Sequence, residues 1–208
     1  MAIAPTSGLT FEDYLAAPPL GEDCFELMDG ELIALPPESE PNHWIATALF
    51  LALMTLRTVP PRLIKTHQCE LQVPVLQPGD AANRFPDLVI LHPEHLALTQ
   101  KRLTITLEMP PPRLIVEVVS PGKANRVRDY ERKLAQYAAI AVPEYWLIDA
   151  KEEQVVVLQW VHEQVSGVAQ LGYQTVGRFK GDDRILSPEL GTLPLTATQI
   201  LSGDFLQS

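Results

Sequence analysis

Arg113-Leu114-Ile115-Val116-Glu117-Val118-Val119 is the stretch on which the fold turns. Its near-continuous branched aliphatic content suits a strand covered on both faces, and so a place in the middle of a sheet. One carboxylate, Glu117, interrupts the run. Burying an unpaired charge costs several kcal/mol, roughly, so a cation or hydrogen-bond donors should stand nearby.

Working outward, Pro86-Asp87 opens a second apolar run, Leu88 to Leu91, and strand signals also lie between Ile64 and Val75. Downstream, Tyr130, Leu134, Tyr137 and Ala141 form one apolar stripe, which predicts a helix from about Asn125 to Ala141. Pro143 then opens a strand over Glu144 to Asp149. Strand, strand, strand, helix, strand is the order of an α/β (or α+β) domain with a mixed central sheet flanked by helices.

The outer segments are punctuated more plainly. Thr10 with Asp13 resembles a capping box for a helix to about Ala17. Asp29-Gly30, between Phe25–Met28 and Glu31–Leu35, predicts an N-terminal hairpin. Asn42 is placed to cap a helix from His43 to about Arg57 that is apolar nearly all round and therefore internal. Val155 to His162 and Tyr173 to Phe179 read as a C-terminal hairpin, and the tail from Leu186 as a loop with one last helical turn.

A chain of 208 residues fits one domain, 1–208, with 1–8 and 203–208 as loose ends. The longest apolar run, Trp44 to Leu56, is too short to cross a bilayer. The first residues carry no secretory pattern, so a cytoplasmic protein without membrane contact is expected. Cys24 and Cys69 lack zinc or disulfide spacing and read as small core residues. No GxGxxG, GxxxxGK[ST] or GxSxG follows a strand, which leaves nucleotide-binding and serine-hydrolase readings without an anchor. The net charge of −10 argues against a phosphate-binding surface, although Lys123, Arg126, Arg128, Arg132 and Lys133 can form a local basic face.

Asp87 and Glu117 are the acidic pair with chemical potential. If their strands are neighbours, they supply the two side-chain oxygen ligands that magnesium typically takes beside water and phosphate. Bland readings stand next to this one: a Pro-Asp turn for Asp87, a satisfied core ion pair for Glu117, and a surface i,i+4 pair for Asp129 and Lys133.

Several segments together resemble the Uma-type endonuclease family. They are Phe25-Glu26-Leu27-Met28-Asp29-Gly30-Glu31-Leu32, His43, Pro86-Asp87, Leu114 to Pro121, Asp129-Tyr130-Glu131-Arg132-Lys133 with Tyr137, and Glu144-Tyr145-Trp146-Leu147-Ile148-Asp149. The resemblance implies the PD-(D/E)XK restriction-endonuclease-like fold and a Mg2+-dependent (or Mn2+-dependent) attack on DNA. It implies Asp87, Glu117 and the Val118 main-chain carbonyl as metal ligands, with Glu26 as a further candidate. The superfamily places a lysine two residues after the acidic one, where this chain has Val119. The family shares that change, and its remedy is a lysine on the following helix. Helical spacing makes Lys133 the candidate, at the border of the stripe and with a stem long enough to reach Glu117. A homodimer is the simplest way to cut both strands of a duplex. The competing expectation is a catalytically inactive nuclease-fold module that binds nucleic acid or protein.

Overall fold

The computed structural model describes residues 8–17, 24–165 and 168–205. A six-stranded mixed sheet organises it, in the spatial order Val168–Phe179, Gln154–Val165, Glu144–Asp149, Leu114–Val118, Leu88–Ile90, Ile64–Thr66. The Leu114–Val118 strand lies inside, parallel to Glu144–Asp149 and antiparallel to Leu88–Ile90, and all five of its residues are buried. This is the mixed sheet flanked by helices, with a hairpin towards each end, that the strand and helix order predicts.

The N-terminal helix, Phe11–Ala16, starts on a capping box in which the Thr10 hydroxyl accepts from the Asp13 amide. Its Phe11 and Tyr14 pack with Leu27 of the hairpin Phe25–Met28 and Glu31–Ala34. The hairpin turn needs positive φ at both central residues, and Asp29 (φ 49°) and Gly30 (φ 82°) supply it. Cys69 is buried and Cys24 is half-buried. No helix among the described residues is long and apolar enough to cross a membrane.

Four expectations are corrected. The long helix is Glu40–Leu56 with Ser39 at its N-cap, because Pro41 is well tolerated in a first turn and the helix begins before Asn42. The span Ile64 to Val75 divides in two. Ile64–Thr66 stays on the central sheet, His67 turns the chain at φ 52°, and Glu70–Gln72 joins a smaller sheet with Asn83–Arg84 and Thr104–Ile105. The helix after Glu117 runs Lys123–Ala139 with a π-helical segment, Arg128–Lys133, in its middle. The tail holds a strand pair, Arg184–Ser187 with Gly191–Thr196, and a capped helix, Ala197–Ser202. Pro194 fits that pair because a two-stranded edge position does not need its missing N–H.

Of the ends, residues 1–7 and 206–208 lie outside the described residues. Gly203 sits against the Trp44 indole so closely that a Cβ there would collide with Nε1, and Phe205 packs on the core.

Candidate active site

Sheet register puts the two acids side by side. Leu88 pairs with Val116 in the antiparallel ladder, so the next step sets Asp87 opposite Glu117. The Val118 amide donates to Asp87 Oδ2 at 2.6 Å, tying that carboxylate to the neighbouring strand. His67, at the end of the edge strand, lies with Nδ1 3.5 Å from Asp87 Oδ1 and stacks on His43.

The helix covers Glu117 from the other side. Lys133 Nζ donates to Glu117 Oε2 at 2.6 Å, and the Tyr137 hydroxyl donates to Oε1 at 2.7 Å. Lys133 also lies 3.4 Å from Asp129 Oδ1. The π segment widens the helix where Asp129 and Lys133 turn inward, and such segments often occur at functional sites. Both are buried, at 1% and 6% exposure, so the surface i,i+4 reading of this pair does not hold.

Asp87, Glu117 and Lys133 line one cavity of about 260 Å3, together with Glu26, Val118 and Arg128 among others. Glu26 faces it while accepting from Arg84 at 2.8 Å. Asn42, buried in the first turn of its helix, donates to Ser120 Oγ at 3.0 Å and to the Val118 carbonyl at 3.4 Å. Arg128 donates from Nε to Asp129 Oδ1 at 3.0 Å.

Charge is unevenly compensated here. Burial, with the Asp87 and Asp129 carboxylates nearby, pushes Glu117 up to about 7 against the pull of the Lys133 ammonium. Burial opposes the charge on Lys133 too, but Glu117 and Asp129 outweigh it and hold the ammonium above the ordinary lysine range. Asp129 Oδ2 is buried and has no hydrogen-bond partner among the described residues.

That excess of acceptors suits a small hard cation. Among the described residues, no group of three His, Cys, Asp or Glu side chains is placed to hold a metal. The oxygens on the cavity wall that could hold such an ion are those of the Asp87 and Glu117 carboxylates, with Val118 beside them and its carbonyl accepting from Asn42. Magnesium commonly accepts so sparse a set because it retains water and takes phosphate oxygens.

A family model named Uma2, described as "Putative restriction endonuclease", matches residues 11–197. The chain belongs to the Uma2 family. The fold of this Uma2 protein is that of a solved protein from Anabaena variabilis ATCC 29413, titled a putative nuclease belonging to DUF820. The two share 17% identity with a TM-score of 0.63, over 94% of this chain and 98% of the other. No curated protein gives a match.

In this Uma2 chain, Asp87, Glu117, Lys133 and Glu26 thus line one cavity, whereas other polar residues of note lie elsewhere. Glu70 accepts from Asn83, Arg102 and Thr104 in the smaller sheet. Tyr145 and Trp146 are core residues, as aromatics in a strand usually are. The basic face is largely neutralised: Arg126 pairs with Asp149, Arg132 with Asp80 and Lys133 with Glu117. Sequence reasoning missed the roles of Asn42, His67 and the Tyr137 hydroxyl. For Tyr137 a signal existed, since a phenol in a buried stripe needs a hydrogen-bond partner.

Proposed function

We propose that this Uma2 protein is a Mg2+-dependent endonuclease (Mn2+ substituting) that hydrolyses DNA phosphodiester bonds. Asp87, Glu117 and the Val118 carbonyl hold the ion, and Lys133 is the catalytic cation. The observation that carries this reading is the approach of the Lys133 ammonium to Glu117 from the helix, at the site where Val119 leaves the sheet without a charge.

When bound, the ion would lower the pKa of a coordinated water and offset charge on the phosphate. The protein's own groups do the rest. Tyr137 and Lys133 orient the Glu117 carboxylate through its two oxygens, and the Val118 amide fixes Asp87. Lys133 presents its remaining N–H groups where a phosphate oxygen can accept them, as fixed cations do when negative charge develops. Glu26, already paired with Arg84, serves at most as an outer acidic neighbour.

Supercoiled plasmid should be nicked with Mg2+ and spared in EDTA, and Asp87→Ala or Glu117→Ala should abolish nicking. Unchanged nicking by both variants overturns the proposal. The net charge of −10 and the paired arginines favour a second reading, a module that binds without cutting. Metal-independent DNA binding with no turnover would select it.

A further inference from the structure

A second hollow adjoins the acidic cavity. Its volume is about 670 Å3, and Arg84, Lys123, Arg128 and Arg132 line it together with Glu26 and Met28. Glu26 and Arg128 line both hollows, so the two adjoin at these side chains.

The four cations are not equivalent. Arg84 is 2% exposed and committed to Glu26 and Gln136. Arg132 is held by Asp80 and by the Gly79 carbonyl. Lys123 pairs with no carboxylate among the described residues, and its side chain stands at the exposed start of the helix. Arg128 spends Nε on Asp129, and its terminal amino groups make no hydrogen bond among the described residues.

On a chain with net charge −10, cationic donors left over at the rim of an acidic cavity form a local positive field that favours an anionic occupant. A nucleic-acid strand supplies one phosphate per nucleotide, so a phosphate beside Glu117 brings its neighbours to that rim. We propose that Arg128 and Lys123 grip the phosphates flanking the one seated in the acidic cavity, and that the nucleic-acid strand leaves this cavity along the basic hollow. Both are positioning residues, and their role rests on the nucleic-acid reading of the cavity. The Asp129 carboxylate aims the Arg128 guanidinium by holding Nε, which leaves its two amino groups for one phosphate, the bidentate match that arginine makes best.

The test measures binding of a short fluorescein-labelled DNA duplex to the full chain in EDTA, across about 50 to 200 mM salt. Wild type, Lys123→Gln, Arg128→Gln and Arg128→Lys are compared, with thermal melts to verify folding. Each phosphate contact removed should lower the slope of log affinity against log salt by about 0.9. Arg128→Lys should keep the slope and lose affinity, because it retains charge without the fork. Folded Lys123→Gln and Arg128→Gln proteins with the wild-type slope overturn the proposal, as does a wild type that binds no DNA. The assay runs without metal. A wild type that binds with the expected slopes yet never cuts would therefore defeat the nuclease reading and leave this one standing.

Discussion

Lys133 and Glu117 form a buried ion pair, Nζ to Oε2 at 2.6 Å, that joins the π-helical turn to the central strand. The pair places a cation at the acidic site that residue 119, a valine, does not provide. Lys133→Met should therefore cut the plasmid-nicking rate by about 10² to 10³, the usual effect of losing one preorganised charge. It should also destabilise the fold, by less than the about 3–5 kcal/mol of an uncompensated buried charge, because Glu117 without the ammonium takes up a proton near neutral pH. Nicking kinetics and urea unfolding check the two effects separately.

Tyr137→Phe removes the donor to Glu117 Oε1 and changes nothing else in shape. Leaving a buried acceptor unsatisfied costs about 1–3 kcal/mol, so the urea midpoint should fall with the m-value unchanged. A midpoint equal to the wild type's would mean that the phenol does not support the carboxylate.

Histidine 95 offers a pH test away from the cavity. His95 is fully buried, with Nε2 2.7 Å from the Pro110 carbonyl and Nδ1 accepting from the His92 amide, which defines a neutral imidazole protonated on Nε2. Burial holds it below the ordinary histidine range, although the Pro110 carbonyl pulls the other way. Between the lowered folded value and about 6.5 in the unfolded chain, the unfolded state binds more protons, so stability rises with pH. The contribution is fully present above about 6.5 and is lost as pH falls through the folded value. Urea midpoints across that window should drop more steeply for wild type than for His95→Gln, and NMR should show His95 titrating below 6.5.

Gly30→Ala should be damaging. A Cβ there would lie 2.6 Å from the Gly8 Cα at a φ of 82°, so both steric and conformational terms oppose it. A loss above about 1 kcal/mol is expected in urea unfolding, with the hairpin and the Phe11–Ala16 helix loosened together.

What could be read in advance depended on whether a signal was local. Glu117 stands out because an acid inside an apolar strand is anomalous, and Lys133 because helical spacing and the family pattern converge on it. Asn42 was misassigned as a cap because Pro41 moves the helix start by a few residues, and the amide then reaches Ser120 across the fold. The neutralisation of Arg126 and Arg132 was invisible because Asp149 and Asp80 are distant in sequence. His67 was hidden for the same reason, and the Arg184–Ser187 pair was masked by Pro188 and Pro194, which read as loop.

Calorimetric titration of Mn2+ into the wild type, Asp87→Asn and Glu117→Gln proteins tests most directly the proposal that this acidic pair holds a metal ion. Saturable binding near one ion per wild-type chain is expected, weakened at least about tenfold in each variant, as loss of a ligating carboxylate should do. Indistinguishable isotherms for the three proteins, or no binding heat in the wild type, would contradict it.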